Sequence, residues 1–243
     1  MKKIIENKTK YKGISLEDYK KEYQESINDP EKFWQDKANS INWIKKFTKT
    51  REGSFERDVC IKWFSDGTLN VSYNCLDRHL KDRGNKTAII WESDDPNISK
   101  KISYRELYEE VCKFSNGLKS AGVQKGDRVT IYMPMIPEAA IAMLSCARVG
   151  AIHSVVFGGF APESLRNRLE DCNSTFVITA NEGVRGGKKI PLLKNVKEAL
   201  KSYKKIKKSI VIKRTDSEDY FENEHDIWYH ELISNQPSEF NPV

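Results

Sequence analysis

Residues 154–165 read SVVFGGFAPESL, and this stretch decides the fold. An apolar run from Ile152 to Phe157 stops at Gly158-Gly159, and Pro162 then opens a helix. Proline suits a first helical position because the N–H it lacks has no intrahelical acceptor there. A strand, a glycine turn and a helix start together let backbone N–H groups and the helix dipole face an anion. The expected cap residue, Ala161, has no side-chain acceptor, so the first-turn N–H groups are left for another partner. The plainer reading is a tight turn in which glycine serves positive φ or close packing.

Working outward, the same alternation repeats. TAIIW (87–91) reads as a short buried strand. Ser103 and Glu106 have capping-box spacing, Leu107, Val111, Phe114 and Leu118 share one helical face, and Gly122 ends that helix. RVTIYM (128–133) is a strand, and the helix from Pro137 to Val149 is apolar nearly all round, hence buried. Beyond the central stretch come a helix from Pro162 to about Asp171, the strand TFVIT (175–179), a helix from Pro191 to about Ser202 and the strand SIVIK (209–213). Apolar strands alternating with helices predict an α/β fold, a parallel sheet flanked by helices on both faces. Right-handed crossovers bring the strand C-termini to one edge, where α/β ligands bind. A second glycine loop, NEGVRGGKKIP (181–191), follows the strand after the central one. Gly186 and Gly187 let backbone approach a ligand, while Arg185 and Lys188 bring donors suited to phosphate. The alternative is a surface loop whose cations stay in water.

Residues 1–85 read as a helical and hairpin extension preceding an α/β domain at 86–243. Ser15 with Asp18 and Asp29 with Pro30 mark two helix starts, and Phe33, Trp34, Trp43, Ile44 and Phe47 offer an aromatic clasp. In IKWFSDGTLNVSYN (61–74), Asp66-Gly67 predicts a hairpin turn.

The chain has 243 residues, 38% of them hydrophobic and 31% charged, with a net charge of +6. That balance fits a soluble protein and mildly favours anionic ligands. Nucleic acid is not expected: lysine-rich 197–214 adjoins acidic 216–231, a solvated pair of opposite runs. The five cysteines are widely spaced and never form CxxC, which fits free thiols in a reducing compartment. MKKIIENKTK has no apolar core of a secretory signal, and the most apolar segment, 136–149, is short and carries Glu138 and Arg148. A cytoplasmic protein without a membrane span is expected. Cys75 and His79 lie four apart but lack further ligands, so no metal site is expected. His153 reads as a core or near-core residue, and no nucleophile–base pair stands out, so no catalytic residue is named.

Taken together, KFW (32–34), NCLDRHL (74–80), HSVVFGGF (153–160) and the RGG loop at 185–187 resemble the N-terminal part of the AMP-forming acetyl-CoA synthetase family. This resemblance covers nearly the whole chain. It implies a two-step ligase of the adenylate-forming superfamily with acetate, ATP and CoA as substrates. A carboxylate attacks the α-phosphate of ATP to give acyl-AMP and pyrophosphate, and the CoA thiol then attacks the acyl carbon. It further implies that Arg185, Gly186, Gly187 and Lys188 contact the CoA nucleotide, with Phe157, Gly158 and Gly159 along the same ligand. Lys188 departs from the family's usual arginine: lysine keeps the charge and gives up the planar fork. The family's phosphate loop, acyl pocket, ribose-binding aspartate and Mg2+ ligands have no counterpart in this sequence. The expectation is an N-terminal portion of an acetate–CoA ligase, inactive alone, either a gene fragment or half of a split enzyme that docks with a separate C-terminal chain. The alternative is a non-catalytic CoA- or nucleotide-binding module.

Overall fold

In the computed structural model, which describes residues 13–56 and 59–243, Ser15 starts the first helix as its spacing predicts. Its Oγ accepts the Asp18 N–H at 3.0 Å and opens α1 (Leu16–Asn28). Asp29 accepts the Lys32 N–H at 3.1 Å and opens α2 (Pro30–Ala38), with Pro30 at the first helical position. The basic opening segment read above for a signal, residues 1–10, lies outside the described residues. Two compact units divide the chain, one ending at Leu69 and the other running from Asn70 to Val243.

In the first unit, β1 (Arg51–Glu52) pairs antiparallel with β2 (Lys62–Trp63), Arg51 facing Trp63. The expected hairpin across Asp66-Gly67 does not form. Strand β2 pairs backwards along the chain instead, and Thr68 bridges to Lys45. The cause is the Asp66 carboxylate, which accepts the Thr48 N–H at 3.0 Å, the Thr48 hydroxyl at 2.6 Å and the Lys49 N–H at 3.2 Å. Those bonds turn the chain towards 45–49 rather than into a second strand. Of the five residues read as a clasp, Trp43 and Phe47 join a cluster with Phe64: Phe47 is buried, with the Trp43 and Phe64 ring centres at 4.9 and 4.6 Å, while Trp34 and Ile44 are exposed.

The second unit begins with α3 (Val71–Cys75), a 3₁₀ turn (Asp77–His79) and α4 (Leu80–Arg83). Strands β3 (Thr87–Glu92) and β4 (Ser99–Ser103) then form an antiparallel pair separate from the main sheet. TAIIW is therefore not a buried strand: Ile90 is 64% exposed. A short apolar run carries no information about its partner strand. Helix α5 (Tyr104–Ser120) opens with the full capping box and buries Leu107, Val111, Phe114 and Leu118.

From here the alternation is regular: β5 (Arg128–Met133), α6 (Pro137–Arg148), β6 (Ile152–Phe157), α7 (Pro162–Cys172) and β7 (Phe176–Ala180). A small hairpin follows, β8 (Gly183–Arg185) with β9 (Lys188–Ile190), before α8 (Leu192–Leu200) and β10 (Lys208–Ile212). The five-stranded sheet has the order β11-β10-β7-β5-β6, where β11 is Asp226–Trp228, and every pairing is parallel. Strand β7 is buried at every position, so helices cover both sheet faces. Strand β11 and the start of α9 (Tyr229–Ile233) lie in the acidic segment 216–231 read from sequence as solvated, and Trp228 and Tyr229 there are buried. Strand β6 closes one end of the sheet, with Ile152, Val155 and Phe157 each more than half exposed. His153, expected in or near the core, is exposed on this strand.

Arg148 at the end of α6 is fully buried and makes bonds of 2.7 and 2.8 Å to the Asp77 carboxylate. Its Nε also donates to the Phe240 carbonyl at 2.9 Å, and its guanidinium lies 5.1 Å from the Tyr108 ring centre. Burial disfavours the guanidinium charge, and Asp77 more than restores it.

Candidate functional site

The carboxyl ends of the parallel strands open on one cleft of about 430 Å³. Strand β5 contributes Met133 and Pro134, β6 contributes Phe157, Gly158 and Gly159, the hairpin after β7 contributes Gly183 and Arg185, and the chain after β10 contributes Arg214. The two glycine-bearing loops therefore share one rim. Tyr132 holds the first of them, donating to the Phe160 carbonyl at 2.7 Å while accepting from Asn195 of α8 at 3.1 Å. Burial pushes the Tyr132 phenol upward and Asn195 pulls it partly back, so the group stays neutral.

At Gly158 the glycine serves close approach. A Cβ there would lie 2.8 Å from the Met133 carbonyl oxygen, and one at Gly159 would lie 2.7 Å from the Phe157 ring. No side chain caps α7 at Ala161, as expected. The cleft, however, is lined by the turn at 157–159 and not by the first turn of α7.

The second loop is a hairpin, not a loose loop. Gly186 (φ 57°) and Gly187 (φ 71°) take the two left-handed positions of a two-residue turn between β8 and β9. The Asp94 carboxylate accepts the Gly187 N–H at 2.8 Å. That bond, with the Gly186 N–H behind it, lowers the Asp94 pKa. The Gly187 amide is thus engaged by a carboxylate of the chain, and Gly186 and Gly187 lie outside the cleft lining.

Arg185 does line it, with its guanidinium 5.8 Å from the Phe157 ring centre. Lys188 lies directly opposite Arg185 in the hairpin pairing, which puts both side chains on one face of the ribbon. Lys188 is exposed and outside the cleft lining. Lys189 is paired with Glu182 at 3.3 Å.

Three contributors escape a reading of the sequence. Trp91 lines the cleft, its indole N–H donating to the Met135 carbonyl at 2.8 Å. Arg214 lies over Trp91, guanidinium carbon to ring centre 5.2 Å, and donates to the Ser93 hydroxyl at 3.3 Å. Asn181, just past β7, accepts the Arg214 N–H at 2.8 Å and donates to the Ser217 carbonyl at 2.6 Å, holding the chain after β10 against the strand end. A buried asparagine directly after an apolar strand was the one available signal.

The cleft offers two aromatic faces, two guanidinium groups and the carboxylates of Glu92 and Asp94. These groups bind and orient. Among the described residues, no three His, Cys, Asp or Glu side chains gather closely enough to hold a metal ion, and no helix is long and apolar enough to cross a membrane.

A cleft at the carboxyl edge of a parallel sheet is where α/β folds bind their ligands, and this one is walled by arginines and aromatic rings. The chain belongs to the AMP-binding enzyme family, whose description matches residues 76–242, while residues 19–75 match the description "Acetyl-coenzyme A synthetase N-terminus". Its similar relatives include the acetyl-coenzyme A synthetase of Agrobacterium fabrum, 56% identical over 234 residues, which cover 95% of this chain and 36% of that one. The acetyl-coenzyme A synthetase of Parvibaculum lavamentivorans is 58% identical over 219 residues, covering 90% of this chain and 34% of that one. The chain thus spans about a third of the length of the curated relatives it matches. The solved acetoacetyl-CoA synthetase from Streptomyces lividans shares the fold, with a TM-score of 0.78 at 21% identity over 90% of this chain and 33% of that one.

Proposed function

We propose that this chain supplies the coenzyme A-facing part of an acetate–CoA ligase. The whole reaction joins acetate to AMP with release of pyrophosphate, then transfers the acetyl group to the CoA thiol with release of AMP. The observation that carries the reading is the shared rim, where Phe157, Gly158, Gly159 and Arg185 line one cleft. Arg185 makes no ion pair among the described residues and is free to meet a ligand phosphate. Lys188, on the same face of the ribbon, adds a point charge outside the cleft. The groups that stabilise charge at the α-phosphate, and the Mg2+ ligands, belong on this reading to the part of such a ligase that lies outside the third matched here.

Calorimetry of the 243-residue chain with CoA tests the binding role. Binding is expected, and Arg185→Ala should weaken it by about 10- to 100-fold, the worth of a charge-assisted hydrogen bond. No heat at millimolar CoA overturns the assignment. Acetate-dependent exchange of pyrophosphate into ATP is expected to be absent from this chain alone, and measurable exchange would overturn the division of labour. A non-catalytic CoA-binding module shares the first result, and differs by giving no ligase activity with any C-terminal chain.

A further inference from the structure

Arg214 is the unexplained cation of the cleft. Sequence singles out the RGGK loop and reads Arg214 only as the end of the solvated lysine-rich run 197–214, yet the fold brings both arginines to one cavity, Arg185 from the hairpin and Arg214 from the chain after β10. Each guanidinium rests on an aromatic ring, Arg185 on Phe157 and Arg214 on Trp91. A guanidinium over a ring face gains a cation–π contact and keeps its N–H groups for hydrogen bonding.

Three further observations point the same way. The backbone of Arg214 is held by Asn181, and its ring platform by the bond from Trp91 to Met135. Its only side-chain hydrogen bond among the described residues is the 3.3 Å contact to Ser93, and none of the ion pairs there includes it. The cleft carboxylates do not neutralise it: Asp94 is engaged by Gly187, and Glu92 makes no ion pair with either arginine. Arg214 is a partly buried guanidinium on the cleft wall with no carboxylate partner among the described residues, and so has hydrogen-bonding capacity left for a ligand anion.

We propose that Arg214 is a ligand-binding residue, taking a phosphate or pyrophosphate group from the β10 side of the cleft while Arg185 takes one from the hairpin side. A ligand carrying two separated phosphate centres fits two preset forks better than a monophosphate does. The inference rests on the cleft being the ligand site. It does not require the ligand to be CoA.

Titration calorimetry on the full chain with two probes, CoA and inorganic pyrophosphate, separates these readings. Wild-type protein is expected to bind both, and Arg214→Gln to lose roughly 10- to 100-fold for each. Arg214→Lys, which keeps the charge, should recover part of that loss for pyrophosphate. An unchanged thermal midpoint in both variants shows that the fold is intact, so that a loss reports on binding. If wild type binds pyrophosphate but not CoA, and Arg214→Gln loses it, the CoA assignment fails and the role of Arg214 stands. Wild-type affinity in Arg214→Gln for both probes overturns the proposal. So does equal loss in the Gln and Lys variants with a lowered midpoint, and so does a wild-type chain that binds neither probe.

Discussion

Asp94 and Gly187, 93 residues apart, are joined by a 2.8 Å hydrogen bond from the glycine amide to the carboxylate. The turn between β3 and β4 thereby holds the tip of the β8–β9 hairpin, and with it the strand that carries Arg185. Replacing Asp94 with alanine should free the tip, and hydrogen exchange at the Gly186 and Gly187 amides should accelerate while that of β7 is unchanged. The bond also has a pH sense. Asp94 is held below its ordinary value, chiefly by the Gly187 N–H, so the tie is fully present above the unfolded carboxylate pKa. It is lost as pH falls through the depressed folded value, and exchange at the tip should rise over that acid range. Equal exchange in wild type and variant would show that the hairpin holds itself.

The Arg148–Asp77 pair makes a stronger prediction. Asp77→Ala leaves the buried guanidinium with carbonyl partners but no counter-charge, which should cost about 3–5 kcal/mol. Joint replacement of both residues by apolar ones should cost much less, because no charge is then stranded. Urea unfolding of the single and double variants checks the difference.

The first unit should respond to acid on its own account. The Thr48 hydroxyl is the main cause of a drop in the Asp66 pKa to about 2. A depressed carboxylate contributes stability above its unfolded pKa, and that contribution drains away as pH falls through the folded value. The unit is therefore expected to loosen between about pH 4 and pH 2. Asp66→Asn should flatten that part of the profile, as followed by the emission of Trp43 and Trp63.

Thiol labelling divides the cysteines. Cys60 and Cys75 are exposed, whereas Cys112 and Cys146 are buried, and burial pushes the Cys146 thiol up to about 12. An alkylating reagent at pH 8 should modify the first two quickly, since only reachable thiols react through their thiolate. Cys112 and Cys146 should react only on unfolding, and early labelling of Cys146 would contradict its place in the core.

The elements legible from sequence were those whose own pattern settles them. Ser103 with Glu106, and the stripe from Leu107 to Leu118, specify α5 without reference to anything distant. Strand β7 reads as apolar throughout and is buried throughout. Partners were less legible. TAIIW looks like any core strand, and nothing in five residues says that it will pair antiparallel with Ser99–Ser103. Asp66-Gly67 looks like a hairpin turn because the competing bonds come from Thr48 and Lys49, outside the window that suggests one. At the site, Phe157 and Arg185 stood out because glycines flag them. Trp91, Asp94 and Arg214 carry no such flag, since their meaning arises only where three separate segments meet.

Strand β6 ends the strand order, and Ile152 and Val155 are exposed on its two opposite faces. Among the described residues no strand pairs with its outer margin, and apolar side chains beside it reward any extended chain that settles there. Concentrated solutions of this protein should therefore self-associate through β6, and an added peptide strand that occupies the margin should disperse them.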